Sequence, residues 1–442
     1  MTRFCFLALA ISVAVSPAAR AAPQSPGVAP PHPVALVGGT IHPVSGPAIA
    51  GGTLLMHQGK IVAVGTDVPL PNGTEQIDVA GRQVYPGLIA AYSSLGLSEI
   101  DAVRATIDQS ETGTINPNVR AQVAFNPDSE LIPVARSNGV LCALSAPRGG
   151  LISGTSAVMQ LDGWTWEEMA LRPAAGMHVE WPRYGGRQDW MSGSVEQPDA
   201  GARDAALQSI RRTLADARAY QAARQSPAAA GGAEAEFDAR WEAMLPVLAG
   251  QTPLVVAADE APQIESAVAL AAAEGLKIII HGGYEAPLCA ELLKRHDVPV
   301  IVSSTHRLPL RPSDAYDDPY TVPARLHAAG VRFCISTDED AWNVRNLPYQ
   351  AATAAAYGLP PDVALAAVTL FPAQILGVAD RVGSLEAGKD ATLLVTDGDP
   401  LEIATHVTAA YIGGRPVDLS DRHKRLWEKY KEKYRRLGIE NP

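Results

Sequence analysis

A handful of polar side chains stand at the ends of apolar runs, where chemistry is possible. His281 follows Ile278-Ile279-Ile280 and precedes Gly282-Gly283, so it closes a buried strand beside residues that leave a ligand room to approach. An imidazole there binds a divalent ion or steadies an oxyanion, and the plainer alternative is a hydrogen-bonded structural histidine. Asp338 closes Phe333-Cys334-Ile335-Ser336-Thr337 with no obvious arginine partner, which suits a general base or a metal ligand. His306, after Val300-Ile301-Val302-Ser303-Ser304-Thr305, overhangs the same region as a metal or substrate contact, or is simply an exposed loop histidine. Arg345 follows Asp340 and Asn343 and carries a planar fork that matches both oxygens of a substrate carboxylate. Asp259, after Leu254-Val255-Val256-Ala257-Ala258, serves equally as an oxygen ligand or a helix cap.

The elements that must position these groups alternate short apolar runs with helical patterns, the signature of βα units and a parallel sheet. Residues 139–146, 253–257, 276–280, 299–303 and 331–336 each read as a buried strand, and glycines such as Gly275 and Gly330 end the helices before two of them. A (β/α)8 TIM-like barrel over 86–382 is the economical closure, with its chemistry at the carboxyl ends of the strands. Outside it, residues 34–85 read as short strands with a hairpin about Gly59, and a second β-rich piece spans 383–417. Neither piece has enough strands alone, so the two ends are expected to pair into one small composite β-sandwich. Residues 172–232 read as an insertion over the barrel mouth, either a lid or surface elaboration. The tail 418–442 is a basic helix with Leu426, Trp427, Tyr430 and Tyr434 at helical spacing, expected to dock on the body in preference to a membrane or a partner.

Two segments carry a resemblance. Gly383-Ser384-Leu385-Glu386-Ala387-Gly388-Lys389-Asp390-Ala391 resembles the closing signature of the metal-dependent amidohydrolases, and Pro86-Gly87-Leu88-Ile89-Ala90-Ala91 resembles the opening of their barrel. The nearest groups are the imidazolonepropionase-like and dipeptidase-like amidohydrolases. The resemblance implies metal ligands from a His-x-His on strand 1, a His on each of strands 5 and 6, an Asp on strand 8, and a carboxylated Lys or a Glu on strand 4 where two ions are held. Here strand 1 reads Tyr92-Ser93-Ser94, strand 5 offers Ala257 or Ala258, and no Lys lies between Lys60 and Lys277. Neutral hydroxyls bind zinc far more weakly than imidazole does. His281 and Asp338 are the matching metal ligands, with Tyr92, His306 and Arg345 as substrate contacts. The cofactor implied is a divalent metal, zinc first, as one ion or none. The activity implied is hydrolysis of a C–N amide bond in a cyclic imide, an acylated amino acid or a dipeptide, with Asp338 taking a proton from the attacking water. The competing reading is a non-catalytic binding protein that keeps the barrel and has lost the metal.

Composition bounds the partners. The chain of 442 residues is 47% apolar and 19% charged, enough for large cores in about two or three domains or in one large barrel with extras. With 36 basic against 47 acidic residues, nucleic acid and anionic membrane are disfavoured as main partners, leaving a small molecule or small peptide, with a homo-oligomer open. Residues 1–21 have Arg3, an apolar run from Phe4 to Val15 and a small-residue exit at Ala19-Arg20-Ala21, the layout of a cleaved secretory signal or, failing that, an uncleaved anchor. A periplasmic or secreted protein follows, with Pro23–Pro33 as a disordered or extended linker. After cleavage only Cys142, Cys289 and Cys334 remain, an odd number that cannot pair completely; Cys142 and Cys334 lie inside apolar runs, and buried thiols are expected.

Overall fold

The computed structural model describes residues 24–188, 194–225, 236–337 and 340–439, so the expected signal segment and Asp338 lie outside the described residues. The chain opens with β1 (Val34–Ile41), β2 (Ile49–His57), β3 (Lys60–Gly65), β4 (Glu75–Asp78) and β5 (Gln83–Pro86). β2 and β3 form the expected hairpin, His57 opposite Lys60. β1 changes partner along its length: Val34–Val37 pair with β4, and Thr40 and Ile41 pair with β5.

The barrel follows as β6 (Leu88–Ser93), β7 (Val140–Ser145), β8 (Ile152–Gln160), β9 (Ala170–Glu180), a small ribbon of β10 (Arg187–Gln188) and β11 (Val195–Glu196) outside it, then β12 (Leu254–Ala258), β13 (Ile278–Gly282), β14 (Val300–Val302) and β15 (Phe333–Ile335). The barrel strands lie side by side in chain order from β6 to β15, with the β10–β11 ribbon as a separate sheet. Ile89, Leu144, Val158, Val255, Ile279, Ile301 and Cys334 fill the interior. The alternate residues, such as Val256, Ile280 and Val302, pack outward in a second cluster with helix residues. The end strands are tied by side chain and loop: the Tyr92 N–H donates to Ser336 Oγ and the Ser336 hydroxyl donates to the Tyr92 carbonyl, both at 3.0 Å. Ile89 and Ile335 N–H groups bond in turn to the adjacent carbonyls of Val368 and Ala367, each at 2.9 Å.

One barrel strand runs against the rest. β8 is antiparallel to both β7 and β9, whereas the remaining barrel pairs are parallel. The connections Ala146–Leu151 and Leu161–Met169 are too short for a crossover, which takes a dozen or more residues, so the chain must reverse at each. Two reversals restore the direction, and β9 again delivers its carboxyl end to the same rim as β6 and β12. β9 also corrects the expected insertion, since its residues from Arg172 to Glu180 belong to the barrel. The long helix Ala200–Gln225 buries Ile210, Leu214 and Ala217 in the outer core, and the Tyr220 hydroxyl donates to Glu242 of the helix Ala239–Leu248 at 2.9 Å, which places it in the barrel wall and not over the mouth.

The chain then returns as β16 (Leu393–Thr396), β17 (Val407–Ile412) and β18 (Arg415–Pro416), and β16 pairs antiparallel with β5. Both ends therefore build one β unit around Leu36, Leu54, Met56, Ile61, Val84, Leu393 and Tyr411. The motif 383–391 is its clasp. The Gly388 N–H donates to the Ile61 carbonyl at 2.8 Å, and the Ala391 N–H donates to that of Gly59 at 2.8 Å. Asp390 takes Lys60 at 2.6 Å and Arg381 at 2.8 Å. Gly383 sits at φ +97°, and a Cβ there would lie 2.6 Å from the Ala373 Cβ, so this turn excludes other residues.

The described part of the linker is extended but not loose: the Gly27 N–H donates to Asp162 at 3.1 Å, and the Gln24 side chain meets Arg136 and Ser420. Asp162 is buried between Arg136 at 2.9 Å and Arg415 at 3.3 Å, joining the barrel wall, the β unit and the N-terminal strap. The terminal helix Arg422–Arg436 departs from the expected docking: none of its residues is buried. Cys142, Cys289 and Cys334 are buried and free, and burial pushes the Cys142 and Cys289 thiols up to about 12 and about 11. Replacing Asp162→Ala leaves two guanidinium groups facing each other in a buried site, so a loss of about 3–5 kcal/mol is expected in urea unfolding, against less than about 1 kcal/mol for an exposed pair such as Arg332→Ala.

Candidate active site

A cavity of about 190 Å³ opens at the carboxyl ends of the barrel strands. β6 contributes Tyr92, the β7–β8 connection Arg148, the first turn of β8 Ser153, β9 His178 and Glu180, β12 Ala257, and β13 His281. Register explains the gathering. Glu180 lies beside Ala257 and Ala257 beside His281, while His178 lies one level deeper, beside Val255. The methyl group of Ala257 leaves open the space that a larger strand-5 side chain would fill.

The two imidazoles share one aromatic neighbour. The Tyr92 ring stacks on His281 with centroids 3.7 Å apart and planes 14° apart, and lies tilted to His178 at 5.5 Å. Both histidines are buried. Burial, helped by the charge of His281, lowers the His178 pKa from 6.5 to about 3, so this ring is neutral across the physiological range. Its Nε2 is buried without a hydrogen-bond partner. At the rim, Arg148 lies 3.9 Å from Asp340, and Glu180 is exposed.

The remaining candidates fall elsewhere. Asp259 forms a two-pronged ion pair with Arg307, at 2.9 and 3.0 Å, and the helix after β12 is capped by Glu260 instead. Burial pushes the Asp259 carboxyl up, but the Arg307 charge and hydrogen bonds, with the Tyr284 N–H, outweigh it and hold the pKa below the usual carboxylate range. Gly282, at φ +103°, permits this approach, because a Cβ there would lie 2.8 Å from Asp259 Oδ1. His306 is exposed and its Nε2 lies 2.7 Å from Thr353 Oγ1, apart from the cavity lining. Arg345 points to the terminal helix, 3.3 Å from His423 Nε2, and its carbonyl accepts from Asn138. Sequence reasoning missed His178 and Glu180. Their signal was the alternation Gly176-Met177-His178-Val179-Glu180, obscured by Arg172 and Pro173 upstream, since proline argues against a strand interior.

The donor set is short for a metal. A catalytic zinc takes about three protein ligands. Among the described residues no group of three or more His, Cys, Asp or Glu side chains could hold an ion. The orphaned His178 Nε2 and the adjacent His281 amount to two donors, with Tyr92, Ser94 and Ala257 where further imidazoles would stand. These residues do not fit a two-metal centre.

The sequence profile described as the amidohydrolase family matches residues 290–417. A crystal structure of an amidohydrolase from Thermotoga maritima MSB8 superposes with a TM-score of 0.77 at 26% identity, over 87% of this chain and 99% of that one. In profile, sequence and fold the chain is thus similar to the amidohydrolases. A further amidohydrolase, tasK of Hapsidospora irregularis, is 25% identical over 401 residues, 84% of this chain but 41% of its own, so the present chain spans about two fifths of that relative. A prolidase crystallised with N-methylphosphonate-L-proline shares the fold, with a TM-score of 0.53, 18% identity and coverage of 87% of this chain and 99% of that one. Amidohydrolases generally use divalent metals.

Because the folded pKa of His178 lies below its unfolded value of 6.5, the unfolded chain binds the proton first. The stability this neutral ring contributes is complete above about pH 6.5 and is lost as pH falls toward 3, by at most about 1.4 kcal/mol per pH unit. Urea midpoints of metal-free protein from pH 7.5 down to pH 5 should fall more steeply in the wild type than in His178→Gln. Parallel slopes would remove His178 as the cause.

Proposed function

We propose that this amidohydrolase is an exported hydrolase that cleaves the C–N amide bond of a small peptide or acylated amino acid in the barrel-mouth cavity. The observation that carries the reading is the pairing of His178 and His281 in a cavity whose rim bears Arg148, with Asp340 3.9 Å from it, and Glu180. A dipeptide is itself a cation and an anion held one amide bond apart. Arg148 suits its carboxylate and Glu180 its ammonium, which would lay the scissile carbonyl toward the imidazoles. The neutral, buried His178 ring can donate an N–H to that carbonyl. Asp338, which the family resemblance makes the proton acceptor, is assigned that role here. A single divalent ion at His178 and His281 would supply Lewis acidity. The residue types at strands 1 and 5 leave no donors for a second ion.

A non-catalytic binding protein is the second reading, favoured by the Tyr92 ring stacked on His281 where the family places an imidazole. The two separate on turnover. Dipeptides, N-acyl amino acids and cyclic imides, assayed with and without zinc or manganese, should show hydrolysis that falls about 10²- to 10⁴-fold in Asp338→Asn with unchanged thermal midpoint. Ligand-induced stabilisation without turnover under any metal would establish the binding protein instead. Elemental analysis should give no more than one equivalent of metal per chain, decreasing in His281→Ala, and two equivalents would overturn the ligand assignment.

A further inference from the structure

The terminal helix Arg422–Arg436 is the least absorbed part of the fold. It is fastened at its first turn, where buried Asp421 caps the His423 and Lys424 N–H groups, Arg425 pairs with Glu130 at 2.7 Å, and His423 meets Arg345. Beyond that turn it stands out from the body. Leu426, Trp427, Tyr430 and Leu437 are 41%, 55%, 47% and 62% exposed, values far from those of a docked face.

Its two faces differ in kind. At 3.6 residues per turn, Leu426, Trp427, Tyr430, Tyr434 and Leu437 fall within an arc of roughly 100°. The rest of the circumference holds eight Lys and Arg against Glu428 and Glu432, in a chain that is otherwise acidic. Glu432 is taken up by Arg435 at 2.6 Å and Arg436 at 2.8 Å. The aromatic arc is thus bordered by cations on both sides, Lys433 lying 5.8 Å from the Tyr430 ring and Lys431 following on the far edge. Tryptophan and tyrosine present an apolar body and a polar tip, the combination that settles at the level of lipid headgroups. A helix of this composition lies in the plane of a bilayer surface, apolar arc inward and cations against anionic headgroups.

We propose that Arg422–Arg436 is an interfacial anchor that seats the protein on an anionic phospholipid surface. Charge complementarity selects this occupant over a second copy of the chain, because pairing two such helices through their aromatic arcs would press like-charged borders together. The negative balance of the whole chain does not oppose it. The acidic excess lies in the body, and the charge that meets the lipid within a Debye length of about 8–10 Å is that of the helix. An attachment made by one amphipathic helix is reversible and sensitive to salt.

The full chain should co-sediment with vesicles of phosphatidylglycerol and phosphatidylcholine and not with phosphatidylcholine alone, and the bound fraction should fall at least about tenfold between low and high salt. Trp427→Glu with Tyr430→Glu should abolish sedimentation while leaving the circular dichroism melt unchanged, since neither residue is buried. Lys429→Glu with Lys433→Glu should weaken binding to the anionic vesicles by about tenfold or more. Failure of the wild type to bind anionic vesicles at low salt, or undiminished binding by the Trp427/Tyr430 variant, overturns the proposal. A wild-type dimer in light scattering that the same variant converts to monomer, without vesicle binding, would make a second copy the occupant.

Discussion

The structure depends on a closure that backbone pairing alone does not make. The sheet runs from β6 to β15, and its two ends are joined by the hydroxyl of Ser336, which takes the N–H and the carbonyl of Tyr92 together, and by the shared carbonyls of Val368 and Ala367. Buried polar backbone must be satisfied, and a short serine on one side of the seam meets both demands of the other. The same seam fixes the backbone of Tyr92, the residue whose ring covers His281. Architecture and site therefore meet at one residue.

The second constraint is electrostatic. Two imidazoles buried side by side cannot both carry charge at modest cost, and the fold resolves this by holding His178 neutral. Nearby carboxylates are kept occupied in other ways: Asp259 is locked to Arg307 and Glu260 to the cap of its helix and the N–H groups of Tyr184 and Gly185. What remains facing the cavity is a weakly basic floor and a rim of mixed charge. This differs from the carboxylate-rich, multi-histidine centre that the family resemblance implies, and it ties the departure at Tyr92, Ser94 and Ala257 to a definite change in the chemistry available.

The β unit and the barrel are held as one body by ionic joints as well as by packing. Asp390 joins the hairpin at Lys60 to Arg381 at the end of the barrel segment, and Asp162 joins Arg136 in the barrel wall to Arg415 in β18. Such buried groups contribute more to defining which surfaces meet than to net stability, because desolvation offsets much of their attraction. Only the terminal helix escapes this arrangement, with its apolar arc turned outward.

Much was legible in the chain. Local patterns determined the barrel class, five of its strands to within a few residues, the hairpin about Gly59, the buried thiols and the placement of His281 at a strand end. These are fixed by apolar runs, turn glycines and side-chain chemistry over short stretches, which act before the chain folds on itself. Tertiary structure decided the rest. β8 and the first half of β9 were hidden because their serines, glycines, Arg172 and Pro173 obscure strand-like periodicity, and the short connections about β8 and the pairing with β7 and β12 make them strands. His178 and Glu180 join the site because parallel register sets them beside Val255 and Ala257, a relation across roughly eighty residues of sequence. His306, Arg345 and Asp259 had the right chemistry for a site, but Thr353, His423 and Arg307 occupy them, and a partner distant in sequence is visible only once the chain has closed.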